Sequence, residues 1–456
     1  MEFTDLARRT QIPISTFCGE LGKYQMNPYD GSDPDGVISL ALAEDCYTYA
    51  EFEKRLPKYL SLHPNDLRYG KAPGRPYLRQ ALAEFLHDNV FKCDVNPDNL
   101  IVSCGSATDM DYVASLTCHP GDAILIISPC YNCFEKYLTT RSEAVLYTVD
   151  TTFQDYKITE EALSQVYEKA VNEGHQPKLC VFTNPTNPMG TYYTRKEMEL
   201  LLTFCRSKNM HILSDEVYAL CVEPLKEGEE GYISYANIIK DDKKKDDVHV
   251  IWALSKDFAL SGLRFACLFT QNPVILSSCQ YLNICSEMPS ICQSICTNLL
   301  LDKEYHKVHL PLHQEGIRHG RELIEKFFDS MNIKYTKGNA CFFIWTDLSS
   351  YLKENTFEGE MELYHYIYEK AKVIICPGQS FKSKVPGWYR ITYCANPDEV
   401  NALAYDRLRK VLNERKAELN KLAGAQSTVE SEKKSAEKVS KKRYHHENKS
   451  AKKVKA

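Results

Sequence analysis

The sequence predicts an α/β fold, a large doubly wound and mostly parallel sheet domain joined to a smaller α+β subdomain, and three observations predict it. Short apolar runs without inside–outside alternation recur between residues 100 and 253, as strands covered on both faces do. Helix-period stretches separate these runs, the spacing of crossover connections. Past about residue 300 the pattern changes to one long helix-period stretch, two further strands and a closing helix.

In chain order the strands are expected at Ile101–Cys104, Ala123–Ile127, Leu179–Phe182, His211–Ser214 and His249–Ala253, with helices at Glu160–Glu173 and Arg195–Lys208 between them. The smaller subdomain comes next, with strands near Cys341–Trp345 and Tyr389–Tyr393 and a helix from Pro397 to Leu419. The organisation expected is an N-terminal segment of the small subdomain over 1–60, the large subdomain over 61–305, the C-terminal small subdomain over 306–420 and a disordered tail over 421–456. The tail has almost no large apolar side chains and cannot offset the entropy of ordering.

Composition narrows the class. With 43% hydrophobic and 26% charged residues in 456, the chain has the make-up of an ordinary globular protein with a sizeable core. No apolar stretch is long enough for a membrane span and the first ten residues lack a secretory core, so the expected compartment is the cytoplasm. Its 18 cysteines then read as reduced thiols, with no bridges. Net charge is −5, but residues 427–456 hold ten Lys/Arg against four Glu, leaving 46 basic against 57 acidic side chains elsewhere. An acidic body offers no footprint for nucleic acid. The tail clusters Lys441–Arg443 and Lys452–Lys455 leave a nuclear address or an anionic partner open. Cys130 and Cys133 have the spacing of half a zinc site, but the chain has no second half, so no metal is expected.

The chemistry concentrates at strand ends. Lys256 comes directly after the apolar run that ends at Leu254, and a lysine in a buried neighbourhood is costly unless neutral, paired or covalently bonded. Asp215 comes after the strand at 211–214, at the carboxyl edge where open α/β sheets bind ligands. Asn187 sits in the turn-rich Asn184-Pro-Thr-Asn-Pro-Met-Gly190, another strand end. Thr108 lies in Gly105-Ser-Ala-Thr108, where a strand passes into a helix whose free N–H groups suit a phosphate. Each alone has a bland alternative: solvated lysine, capping acid, loop amide or helix cap.

Together with Leu67-Arg-Tyr69, Ser214-Asp-Glu-Val-Tyr218, Ser261-Gly-Leu-Arg-Phe265 and Pro386-Gly-Trp-Tyr-Arg390, these stretches resemble the fold-type I pyridoxal-phosphate enzymes of the class I/II aminotransferase family. Within it the chain is most similar to the 1-aminocyclopropane-1-carboxylate synthases and the synthase-like proteins of animals, over about residues 20–412. The resemblance implies pyridoxal 5'-phosphate bonded to Lys256, which also moves the substrate Cα proton, with Asp215 holding the ring nitrogen protonated. It implies Asn187 and Tyr218 on the cofactor's 3'-oxygen and Tyr131 stacked on the ring. The phosphate falls to the Ala107 and Thr108 N–H groups, the Thr108 and Ser255 hydroxyls and Arg264. Tyr69 is implied to reach the phosphate of a partner subunit, hence a homodimer, and Arg390 to take the carboxylate of an amino-acid substrate.

All these enzymes share Cα proton removal, and the groups around the substrate side chain decide which bond changes next. Glu44 matches the glutamate the cyclopropane-forming enzymes place near substrate, and a carboxylate suits a sulfonium leaving group. The implied reaction is α,γ-elimination of S-adenosylmethionine. Ala253 stands where the plant synthases carry a phosphate-binding serine, Asp45 where they carry asparagine, and Asn132-Cys133 where they carry Pro-Gly. Transamination, β-elimination and deamination of another amino acid therefore stay open, as does a non-catalytic interaction protein.

Overall fold

Strands buried on both faces must be apolar at every position, and the central sheet is built that way. In a computed structural model describing residues 4–11, 22, 27–61, 64–225, 228, 231–422 and 438, seven strands form it: β1 (Leu100–Ser103), β2 (Ala123–Ser128), β3 (Val145–Asp150), β4 (Pro177–Thr183), β5 (His211–Asp215), β6 (Val248–Ala253) and β7 (Ala266–Thr270). Their order is β1-β7-β6-β5-β4-β2-β3. All pairs are parallel except the two that β7 makes, with β1 and β6. β3 and β7 were not expected. β3 is an edge strand that alternates buried and half-buried residues, and β7 reverses direction after a short turn rather than a crossover. The tail expected to be disordered lies, from residue 423 on apart from 438, outside the described residues.

The period of two divides the core. Ile124, Ile126, Leu179, Val181 and Ile251 face one hydrophobic cluster, and Leu125, Ile127, Cys180, Phe182 and Val250 face the other. Helix α1 (Ser106–Thr117) covers the first face, while α2 (Glu160–Asn172) and α3 (Arg195–Ser207) cover the second, a doubly wound arrangement. Thr194 opens α3 with a capping box closed by Glu197. Truncating a fully buried strand residue such as Leu213 to alanine would cost about 2–5 kcal/mol.

The long helix-period stretch is α4 (Lys303–Met331), started by the Asp302 side chain accepting from the Tyr305 N–H. Beyond it, β8 (Lys334–Tyr335), β9 (Phe343–Asp347), β10 (Cys376–Pro377) and β11 (Trp388–Thr392) form an antiparallel sheet in the order β10-β11-β9-β8. Helix α5 (Phe357–Ala371) precedes β10, and α6 (398–422) closes the described chain. The N-terminal segment splits its contacts. Ile38–Ser39 pairs in parallel with Val373–Ile374 and Cys46 N–H donates to Cys394 O, whereas the helix Tyr49–Tyr59 is tied by Lys58 to Asp302. Every cysteine among the described residues is a free thiol, and no described helix is long and apolar enough to cross a membrane.

Candidate active site

Adjacent parallel strands bring two of the expected groups together. β5 ends on Asp215, and β6 runs on into a single helical turn, Leu254–Asp257, that carries Lys256. Both therefore sit at the carboxyl edge of the sheet. Lys256, Asp215, Asn187, Tyr218, Tyr131 and Arg390 line one cavity of about 220 Å³.

Asp215 is buried, and its Oδ1 has no hydrogen-bond partner. Burial pushes the carboxyl up to about 7, with the Glu216 charge adding to the rise and the Val217 N–H and Lys256 opposing it. Lys256 is half-buried and donates from Nζ to the Ala43 carbonyl oxygen at 2.6 Å. Burial lowers the ammonium to about 8, Glu44 resists the fall and Arg390 reinforces it. A lysine that titrates there is a usable base near neutral pH.

Arg390 enters from β11 of the small sheet. Its side chain is sandwiched between Phe343 and Phe381, 4.9 Å from each ring centroid. Nη1 donates to Asn187 Oδ1 at 3.1 Å and Nη2 to Ala41 O at 2.5 Å, while Nε is buried without a partner. These acceptors are neutral, so the contacts leave a buried positive charge available to an anion. Tyr218 is buried, which pushes its phenol well up, and packs edge-on against Phe342 and Phe343. Tyr131 is half-buried and T-stacks on Phe134 at 5.5 Å.

The start of α1 forms one end of the site. Gly105 adopts φ +97° before the helix, and a Cβ there would collide with Arg264 Nη2, so backbone and guanidinium meet closely. Arg264 also donates from Nη1 to Ser261 O at 3.0 Å. Ala107 and Thr108 lie half-buried in the first turn, where the Thr108 N–H donates to Gly105 O at 2.9 Å, and Ser106 lines the cavity. Ser255 is half-buried on the turn that carries Lys256.

Ala107, Thr108, Ser255 and Arg264 flank the cavity without lining it, and Glu44 and Tyr69 also stand outside the lining. Glu44 is exposed and accepts from Ser261 Oγ at 3.3 Å, close enough to influence Lys256. Tyr69 is fully exposed and lines a separate surface concavity with Arg68 and Glu287. Sequence reasoning missed the backbone carbonyls of Ala41 and Ala43, which receive Arg390 and Lys256, because a carbonyl leaves no mark in residue type.

Residues 39–408 match the family described as aminotransferase class I and II. Among curated relatives, 1-aminocyclopropane-1-carboxylate synthase 8 of Arabidopsis thaliana is 30% identical over 410 residues, 86% of each chain. The 1-aminocyclopropane-1-carboxylate synthase-like protein 1 of Takifugu rubripes is 30% identical over 412 residues, 87% of this chain and 65% of that one. Among solved structures, a double mutant of Thermus thermophilus aspartate aminotransferase superposes with a TM-score of 0.73 at 20% identity, covering 90% of this chain and all of that one. The shared fold, the site at the sheet's carboxyl edge and the matched span agree: the chain belongs to the class I and II aminotransferase family of pyridoxal-phosphate-dependent, fold-type I enzymes, and is related to the 1-aminocyclopropane-1-carboxylate synthases.

Proposed function

We propose that this chain binds pyridoxal 5'-phosphate at Lys256 and removes the Cα proton of an amino-acid substrate, with α,γ-elimination of S-adenosylmethionine as the reaction. The observation that carries the reading is the pairing, in one cavity, of a lysine lowered to about 8 with a buried acid whose Oδ1 lacks a partner. The residues fit the cofactor: that oxygen is an acceptor waiting for a ring N–H, and the Gly105–Arg264 approach at the start of α1 is a cradle for phosphate. When bound, the cofactor supplies an electron sink for the carbanion.

The chain's own groups do the rest. Asp215 accepts the ring N–H, and its ionisation is favoured by that positive partner. Asn187 gives its Oδ1 to Arg390, which leaves its amide N–H₂ for the 3'-oxygen, with the Tyr218 hydroxyl beside it. Tyr131 covers the ring face. Ala107, Thr108, Ser255 and Arg264 hold the phosphate, completed by the partner subunit's copy of Tyr69 in a homodimer. Arg390 fixes the substrate carboxylate and so aims the Cα–H at Lys256 Nζ, which takes the proton. Glu44, at the mouth, attracts a cationic sulfonium and so favours S-adenosylmethionine over neutral side chains.

We place this activity in the cytoplasm and the working division of the chain between residues 61–305 and 306–420, the latter joined by the N-terminal segment. The test is product analysis with purified protein. S-adenosylmethionine alone should yield methylthioadenosine. Glutamate formed from an amino acid plus 2-oxoglutarate would mean a transaminase instead, and ammonia with an oxoacid from a single substrate would mean a deaminating lyase.

A further inference from the structure

Lys256 does not hold its position alone. The strap formed by residues 41–46 lies over the cavity and supplies an acceptor to each cation there: Ala41 O to Arg390, Ala43 O to Lys256. Its next residue, Glu44, is the carboxylate at the mouth. Asp45 ties the strap to helix α4, beside the backbone bond from Cys46 N–H to Cys394 O. Its Oδ2 lies 2.8 Å from His313 Nδ1, with side chains 1% and 0% exposed, and it also accepts from Thr48 Oγ1 at 2.9 Å and from the Tyr47 N–H at 2.7 Å.

His313 belongs to α4, and its second nitrogen faces the other way. Nε2 lies 3.3 Å from Cys221 Sγ, and that thiol lies 3.2 Å from Oδ1 of Asp257, the residue after Lys256. Asp257 in turn accepts from Trp252 Nε1 at 2.7 Å and from the Leu220 N–H at 3.0 Å. One helical turn earlier on α4, His309 Nε2 reaches the Asp257 carbonyl oxygen at 2.8 Å. The imidazole of His313 thus spans from the strap above the lysine to the turn that carries it. The row Asp45–His313–Cys221 has the members of a nucleophilic triad, but all three are buried and none lines the cavity of Lys256, so we assign it no chemistry of its own.

We propose that His313, through Asp45 on one side and Cys221–Asp257 on the other, is a positioning residue that holds the Ala43 carbonyl against Lys256 Nζ and keeps that amine out of water. This rests on the reading of Lys256 as the reactive amine. Removing the imidazole releases the strap from α4 at Asp45 and leaves the Cys46 N–H bond to Cys394 O to hold that end. The ammonium then loses the Ala43 acceptor and gains solvent. Burial is the largest influence on this lysine and those of the neighbouring groups Glu44, Arg390, Cys221 and Asp215 are smaller, so solvent entry wins and the amine moves back toward ordinary lysine behaviour.

The experiment measures acetylation of Lys256 against pH by peptide mass spectrometry, in the full chain stripped of carbonyl cofactor, with exposed Lys303 as the internal reference. His313→Leu strands a buried carboxylate and can fail to fold. Asp45→Asn/His313→Leu removes the charge together with its partner and keeps the test available. In the folded variant the Lys256 midpoint should rise by about one unit or more, slowing its acetylation at neutral pH about tenfold, while Lys303 is unchanged. A purely structural role would lower the melting temperature and leave that midpoint in place. A midpoint within about 0.3 unit of the parent, or one that falls, overturns the proposal. The lysine assignment is checked apart from this: if the parent protein, given pyridoxal phosphate and borohydride, carries no pyridoxyl mass on the Lys256 peptide, that assignment fails whatever the acetylation shows.

Discussion

Arg390 of β11 and Asn187, beyond the end of β4, meet at 3.1 Å, guanidinium to amide oxygen, in the lining of the cavity. The contact couples the cation proposed for the substrate carboxylate to the residue proposed for the cofactor's 3'-oxygen. A lysine at 390 would keep the charge but lose the planar fork that serves Asn187, Ala41 and an incoming carboxylate together. Arg390→Lys is therefore expected to raise KM for the amino-acid substrate by about tenfold or more, since a charge-assisted pair is worth roughly 1.5–3 kcal/mol. Cofactor capture should be nearly unchanged. Steady-state kinetics beside a pyridoxal-phosphate titration separate the two, and an equal loss in both would place Arg390 in cofactor binding.

Gly105 offers a sharper test of the phosphate end. Its φ of +97° disfavours any side chain, and a Cβ would press on the Arg264 guanidinium. Gly105→Ala should weaken pyridoxal-phosphate affinity by about ten- to a hundredfold, and affinity for pyridoxal, which has no phosphate, far less. Equilibrium dialysis with both compounds reads the difference, and equal losses would move the phosphate elsewhere.

The proposed choice of S-adenosylmethionine rests on Glu44. Its carboxylate is exposed and, among the described residues, accepts a hydrogen bond from Ser261 Oγ, so Glu44→Gln is a mild change to the fold. Methylthioadenosine release from S-adenosylmethionine should fall about tenfold through KM, and any transamination of a neutral amino acid should stay within about twofold. Should both activities fall alike, Glu44 acts on Lys256 rather than on a cationic substrate.

Legibility in the sequence tracked burial and residue type. Runs such as Leu179–Phe182 are apolar throughout because both faces of the strand are covered, and the eye finds them. Val145–Asp150, an edge strand with half-buried positions, and Ala266–Thr270, which reverses direction, lack that mark. Lys256 and Asp215 could be named because ionisable side chains at strand ends are conspicuous, whereas Arg390, at the centre of β11, is named by the resemblance of Pro386–Arg390 to the family. The Ala43 carbonyl that receives the lysine could not be, since every residue has one. Nor could the pairing of Asp45 with His313, two residues 268 positions apart with nothing in either neighbourhood to link them.

Three buried acids should make a pH-dependent contribution to the stability of the cofactor-free protein, with the raised carboxyl of buried Asp109 acting the same way and buried His249 and His309, lowered to about 3, opposing it below their ordinary 6.5. Burial pushes Asp215, Glu216 and Asp257 each up to about 7, from ordinary values of 3.8, 4.5 and 3.8. In the unfolded chain these groups lose their protons near pH 4, whereas the folded chain keeps them to about 7. Between those limits the folded state binds more protons at these three groups, so their contribution to stability is greatest at the acid end of the window, falls as pH rises through it and levels off above it. Each group contributes on the order of 1–4 kcal/mol to that fall, the upper figure being a ceiling. Asp215→Asn removes one ionisation and suits a site where the charged form is costly. Its melting temperature should therefore drop less than the parent's between pH 5 and pH 8, by a few degrees in scanning calorimetry. The advantage belongs at pH 8, where the parent carries a buried charge with an unpartnered oxygen, and should shrink at pH 5. Parallel curves for parent and variant would mean that water or a counterion reaches Asp215 in solution and that its carboxyl is not held for a ring nitrogen.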